Sequence, residues 1–474
     1  MLRNLIALII IAQSGTMGLK AESGPSNANR SQKEIFNIQK IHEVHLSFTE
    51  DQWEAMEPKQ NRTQARGPRR ASFLQGPEGS RNGIASAFGW EFPEVHAKLK
   101  FGSQSFDDVS VRVKGNGTFF SSRDSLKRSF KIDLNDFVKG QKLAGITQIN
   151  LHNSVRDPTH MNEALGYKLY RDAGIHAPRT TYAKVYVTVA TKYDREYFGL
   201  YNMVEDVGRP FVKEHIVPSD GALLKPVIPN LFSDLGDDWS DYNQTYDPKG
   251  KLSDEQKTRI IATCKFFSNS TDAEFIDGVG NYIDFNNFAR YLAMTVWLSD
   301  MDGILGPGQN YYVTLHSRSN KFIFIPWDQD QSFGQFPRGS QEQREQLSIH
   351  KPWNGGNRFF ERMFKVDAFK IQYQSALKEI NETVVKPKQI DQLVEELANI
   401  LRAPIGEESA DRLAEFNKAV EGKMITTLMT GRDSYLIDTK PIKLFVPARQ
   451  ASIADQLAGQ TEGKTTDRGS RRGR

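Results

Sequence analysis

The sequence predicts an α+β fold, strand-rich in its first half and helix-rich in its second. Three observations carry this. Short segments of apolar/polar alternation recur between residues 41 and 205, the period of half-buried strands. Longer segments with helical spacing, several opened by capping residues, dominate from about 253 to 430. One apolar strand pair, at about 310–330, interrupts those helices and ends in acidic turns. With 474 residues, 38% of them hydrophobic and 11% aromatic, the chain can bury a large core.

Each element follows from its own residues. IHEVHLSF, from Ile41, alternates as a strand, and Thr49 opens a short acidic helix after it. Residues 60–90 are rich in Arg, Gly, Ser and Pro without a period, which predicts a long exposed loop. Val95–Phe101 and Val109–Lys114 both alternate around a Gly102-Ser103 turn and read as a hairpin. A Gly-rich turn, Lys114-Gly115-Asn116-Gly117-Thr118, leads to a strand at Lys127–Leu134. Asp157-Pro158 predicts a helix start, Asp as N-cap and Pro at the first position, with the helix Thr159–Ala173 stopped by Gly174. Strands follow at 181–189 and 197–204, and the polar, acidic residues 232–257 read as an inserted, lid-like loop. Helices are expected at 253–268, 284–299, 357–381, 387–402 and 408–430. From Asp455 to Arg474 the Gly/Arg/Thr-rich composition predicts a disordered basic tail.

The ends carry most of the formal charge of +4. Arg3 and Lys20 stand in residues 1–21, and 462–474 hold five bases against two acids, so the remainder is close to neutral. That balance argues against nucleic-acid binding. Arg3, the apolar run Leu5–Ala12 and Ala21 read as a secretory signal over residues 1–21, with Gly18 an alternative cleavage point. The mature chain is then exported, to a periplasm or cell surface, and keeps no transmembrane segment. Cys264 is the sole cysteine. There is no disulfide framework, and a buried helical thiol is expected. The nine histidines show no metal-ligand spacing.

The chemistry concentrates in Lys321–Gly334, KFIFIPWDQDQSFG. An apolar strand delivers Asp328 and Asp330 onto a turn, where hard carboxylate oxygens on a stiff support suit Mg²⁺. Upstream lie Asp300, Asp302 and Gly303, then Asn310 at the head of the strand NYYVTL. An Asp, an Asn, then an Asp leaving a strand is the order of catalytic and metal groups in phosphoryl-transfer kinases. Gly115 and Gly117 allow backbone N–H groups to approach phosphates, with Lys114 and Asn116 beside them. Alternation puts Lys127 and Lys131 on one face of their strand, either one a candidate for a phosphate-binding lysine. Glu163, early in the following helix, can orient that lysine, and Glu205 at the end of FGLYNMVE competes for the role.

VRVKGNG, KRSFKIDL, DPTHMNEALGYKLYRDAGIHAP, EYFGLYNMVED, DMDG…QNYYV and FIPWDQDQSFG, in that order, resemble the CotH kinase family, atypical protein kinases related to spore coat protein H. The resemblance runs from about 40 to 440. It implies an atypical kinase-like, two-lobed fold: a β-rich N-lobe at 36–205 and a helical C-lobe at 206–445. ATP with Mg²⁺ or Mn²⁺ would bind between them, and the γ-phosphoryl would pass to Ser or Thr hydroxyls of an extracytoplasmic protein. Asp328 matches the family's metal-binding Asp, with Asp330 a second ligand. Asn310 would bind metal or orient the catalytic Asp, which is Asp302 or Asp300. The family's Arg-Gly-Asn-Ser is replaced here by Lys114 to Gly117, which leaves open a non-catalytic interaction protein on the same fold. A metal-dependent hydrolase using the same acids is a third reading.

Overall fold

The computed structural model describes residues 32–61, 72–429 and 435–466. The predicted signal at 1–21 lies outside them, as do residues 467–474.

Seven strands close a barrel: β1 (Ile41–Phe48), β2 (Val95–Phe101), β3 (Gln104–Lys114), β4 (Ser129–Asp133), β5 (Gln148–His152), β6 (Thr180–Val189) and β7 (Tyr193–Glu205). Their order is β1-β2-β3-β4-β5-β7-β6. Neighbours run antiparallel, except that β6 returns to β1 in parallel, Ile41 opposite Tyr182 through Phe48 opposite Val189. The alternation in sequence becomes alternation in burial. Along β2 every odd residue is buried and every even one exposed. The barrel interior is filled by Val44, Leu46, Val111, Phe130, Ile132 and Val185 among others. Helix α1 (Glu50–Ala55) follows β1 with a capping box between Thr49 and Gln52.

Past β7 the chain is mainly helical and shares a second core, into which α3 (Asn162–Asp172) also packs. A small antiparallel sheet, β8 (Ala222–Leu224), β9 (Tyr311–Leu315) and β10 (Phe322–Pro326), runs through this part. Around it stand α4 (Trp239–Tyr246), α5 (Asp254–Asn269), α6 (Phe285–Trp297), α7 (Asp367–Glu379), α8 (Pro387–Glu408), α9 (Ala410–Val420) and α10 (Ile442–Leu457). The α+β class therefore holds, with a closed barrel that alternation alone did not disclose. Among the described residues no helix is long and apolar enough to cross a membrane.

Several expected boundaries differ. Of the loop 60–90, residues 62–71 lie outside the described residues, but 72–90 are not an exposed loop. Leu74 and Ala85 are buried, and Gln75 donates to Thr245 Oγ1 at 2.7 Å. Short apolar residues without a period are enough to dock a segment that finds partners far along the chain. Residues 232–257 hold α4, whose Tyr242 and Tyr246 are fully buried, so this stretch is core-forming. The helix after Asp157 begins at Asn162, a turn later than expected, because Asp157 accepts from Thr159 N–H and then from Asn162 N–H, at 2.9 and 2.8 Å. The expected helix 408–430 ends at Val420 and is followed by the hairpin β11 (Ile425–Met429) and β12 (Tyr435–Thr439). Position 445, the expected end of the helical part, falls inside α10.

The tail from Asp455 is not disordered through residue 466. Gln456 is buried and accepts from Ile349 N–H at 2.8 Å. Lys464 exchanges backbone hydrogen bonds with Gln346 and Ser348. Backbone pairing needs no apolar side chains, which is why composition did not register it.

Candidate functional site

A cavity of about 490 Å³ opens between the barrel and the small sheet. Lys114, Lys131 and His152 come to it from barrel strands, and Lys225, Asn310 and Asp328 from the other side.

Lys114 ends β3, where the chain turns through Gly115 at a φ of +122°. A side chain there would be strained and would press on Thr118 Oγ1 at 2.9 Å. Gly117 then opens α2 (Gly117–Ser122), held by Arg156, which donates to Gly117 O at 3.0 Å. The Lys114 ammonium donates to Asn150 Oδ1 at 3.1 Å and to His152 Nε2 at 2.6 Å. Because Nε2 accepts, the ring proton sits on Nδ1, which donates to both Glu163 carboxylate oxygens at 2.8 and 2.9 Å. Glu163 is thus coupled to a lysine through an imidazole. Burial, then the Lys114 charge, hold His152 well below its usual range, so the ring is neutral. Burial also pushes Lys114 down and Glu163 up.

Helix α3 carries Glu163 and is locked to the acidic loop after β10. Asn162 Nδ2 donates to Asp330 O and to Gln335 Oε1, at 3.0 and 2.5 Å. Gly166 lets the loop approach: a Cβ there would sit 3.2 Å from Gln329 Cβ and Ser332 Oγ. Tyr167 Oη accepts from Asp328 N–H at 2.8 Å. Asp328 and Asn310 both adopt left-handed φ, +57° and +58°, conformations Asp and Asn tolerate better than most residues. His152, Glu163 and Asp328 each bring an atom within 4.8 Å of the others, but both ring nitrogens of His152 are engaged, which leaves the Asp328 carboxylate as the free hard donor of the three.

The second acidic turn stands behind Asn310. Asn310 Nδ2 donates to Asp302 O and Oδ2 at 3.1 and 3.2 Å, and Gln309 Nε2 to Asp302 Oδ1 at 3.1 Å. Asp300 is buried and accepts from Asp302 N–H and from Gln329 Nε2, which ties the two turns together. Burial pushes Asp300 up to about 7. Burial and then the charges of neighbouring carboxylates raise Asp302 and Asp330 well above the usual range. Like charges gathered this closely favour a bound divalent cation.

The structure therefore brings Lys114, Glu163, Asn310, Asp328 and Asp330 together, with Asp302 and Asp300 in contact behind them. Gly115, Asn116 and Lys131 also reach the cavity; Lys131 pairs with Asp206 at 3.3 Å. Lys127 is elsewhere: its ammonium is buried against Glu408 at 2.6 Å. Glu205 lines the cavity, but its carboxylate is taken by Arg179. Burial pushes Glu205 up, but the nearby His215 and the hydrogen bonds from Arg179 outweigh it and bring the carboxylate below the usual range. Sequence reasoning passed over His152, Lys225 and Trp327. His152 ends the alternating segment QINLH, and its polar residue at the close of an apolar strand was the available signal.

A family model described as CotH kinase protein matches residues 111–436. The chain is 23% identical over 292 residues to inner spore coat protein H of Bacillus subtilis (strain 168), covering 61% of this chain and 75% of that protein. It is 22% identical over 204 residues to spore coat protein homolog 1 of Rhizopus delemar (strain RA 99-880), covering 41% of this chain and 32% of that one.

Proposed function

For a chain that belongs to the CotH kinase protein family, we propose phosphoryl transfer from ATP to a Ser or Thr hydroxyl of a protein outside the cytoplasm. The observation that carries this reading is the linkage Lys114–His152–Glu163 facing Asp328 across one cavity. In this reading residues 36–205 act as the β-rich N-lobe and 206–445 as the helical C-lobe. Lys114, rather than Lys127 or Lys131, contacts phosphate oxygens as a point charge. His152 and Glu163 hold its position. Asp328, with Asp330 and Asn310, would hold Mg²⁺ or Mn²⁺, whose charge would neutralise the phosphate oxygens. The donors present, carboxylates and an amide oxygen, are the hard ligands such an ion takes. Asp302, oriented by Asn310 and Gln309, accepts the proton of the attacking hydroxyl. Asp300, enclosed and hydrogen-bonded, braces that turn. Positioning and charge neutralisation supply most of the rate.

Export rests on the signal read at residues 1–21 and agrees with spore coat relatives. The purified protein incubated with γ-labelled ATP, Mg²⁺ or Mn²⁺ and a Ser-rich acceptor tests the reading. Labelled acceptor is the expected result. Free phosphate alone would indicate a metal-dependent hydrolase. No nucleotide binding would indicate a surface interaction protein that kept the fold without the chemistry.

A further inference from the structure

The roles assigned so far use one lysine, yet the cavity wall carries another with no acid against it. Lys225 follows β8 directly, and its backbone N–H donates to Tyr246 O and Asp247 O at 3.0 and 3.2 Å, which fixes its start. Its ammonium lies 5.1 Å from the centre of the Tyr312 ring and 5.0 Å from that of Trp327. Among the described residues no carboxylate comes within ion-pair distance of it. Asp247, whose backbone carbonyl takes the Lys225 N–H, has its carboxylate engaged by Lys249 at 2.6 Å. Arg81 adds to the same wall: its guanidinium sits 4.8 Å over Phe92, and its buried Nη1 has no hydrogen-bond partner.

Trp327 joins Lys225 to the established part of the cavity. The Lys114 ammonium lies over the same indole at 5.3 Å. Two cations therefore share one ring, and the next residue in the chain is Asp328. Aromatic faces attract a cation without neutralising it, whereas a carboxylate would quench it. Burial, with the Lys249 charge, pushes Lys225 down to about 7. Holding a cation there is costly unless an anion arrives to share its charge.

We propose that Lys225 is a phosphate-binding residue, and that Lys114 and Lys225 together form a two-lysine clamp about Trp327 for the polyphosphate of the nucleotide. The clamp rests on the ATP reading and deepens it. Phosphate oxygens placed between the lysines break no ion pair of Lys225, whose ammonium is met by aromatic faces rather than by a carboxylate. Asp328, adjacent to the indole, keeps the metal-holding side of the cavity in register with them.

Calorimetric titration with inorganic tripolyphosphate, ATP and adenosine, each with Mg²⁺, tests this on wild type, Lys225→Met, Lys225→Gln and Lys225→Arg. Thermal melts of all four are run alongside. Wild type should bind tripolyphosphate and ATP. Lys225→Met and Lys225→Gln should weaken both by about tenfold or more and leave adenosine unchanged, with melting temperatures kept. The fall of polyphosphate affinity with added salt should be shallower in these variants, since one screened charge contact is lost. Lys225→Arg should restore most of the affinity. The clamp is overturned by wild-type polyphosphate affinity in Lys225→Met, by equal losses for adenosine and tripolyphosphate with a lowered melt, or by no polyphosphate binding in wild type. Lys225-dependent polyphosphate binding without any transfer to protein leaves the clamp standing and removes the kinase reading. Transfer that Lys225→Met leaves intact does the reverse.

Discussion

The Lys127 ammonium lies 2.6 Å from both carboxylate oxygens of Glu408, a residue 281 positions away at the end of α8. Both side chains are buried, and Glu408 also takes the Leu200 N–H on β7. The pair thus ties α8 to the barrel wall. Breaking one half of a buried pair leaves an unpaired charge, at a cost of about 3–5 kcal/mol. Glu408→Ala should lose about that much stability in a denaturant titration. The double variant Lys127→Met/Glu408→Leu should recover most of it, and neither should change nucleotide affinity in the folded protein. A single Glu408→Ala variant within about 0.5 kcal/mol of wild type would show the pair to be idle.

Asp328→Asn removes one negative charge at nearly constant volume. Its backbone N–H to Tyr167 should survive, so the melting temperature should stay close to wild type. Metal-dependent ATP binding should fall by about tenfold or more, since charge is what holds a hard cation against its own hydration. Asp302→Ala, by contrast, should keep binding and lose turnover. Titration calorimetry beside a transfer assay separates the two. Wild-type binding and turnover in Asp328→Asn would remove the metal assignment.

His152 stands between two charged groups, so its loss should be felt through them. Lys114→Met and His152→Ala should each weaken ATP binding, and the double variant should lose less than the sum. A coupling above about 0.5 kcal/mol is expected for residues in direct contact. Strict additivity would mean that the imidazole does not position the lysine.

Cys264 lies fully buried in α5, 3.1 Å from Tyr246 Oη, and burial pushes its thiol up to about 12. A thiolate is the reactive form. Ellman's reagent at pH 8 should therefore label no thiol in the native protein and one per chain in denaturant. Rapid native labelling would show that the helix opens.

Truncation after Ala454 removes the last turn of α10 and the strand-like contact at Lys464. It also exposes Ser348, whose Oγ donates to Glu462 O at 2.7 Å, and the Ile349 N–H that Gln456 satisfies. The melting temperature should drop by several degrees. A truncated protein that melts with wild type would return residues 455–466 to the status of a loose end.

Local regularity was legible before any coordinates. Alternation in Val95–Phe101 became inside and outside faces because strand geometry has a period of two. Thr49 marked a helix start because its hydroxyl and Gln52 satisfy each other's backbone N–H groups within three residues. The acids at 300–302 and 328–330 were visible as clusters because each lies on a single turn. What no local pattern holds is which distant groups meet. The parallel return of β6 to β1 closes the barrel across 140 residues of chain. That closure and the packing of α3 decide that Lys114, not Lys127 or Lys131, reaches Glu163, and that a histidine stands between them. Strand alternation assigns a face, but a long lysine side chain goes to the nearest charge the fold brings to it. Lys225 and Trp327 belong to the same class. Each is unremarked in its own segment and acquires a role only where the small sheet meets the barrel, because an ion over an aromatic ring is a contact made in space and leaves no spacing in the sequence.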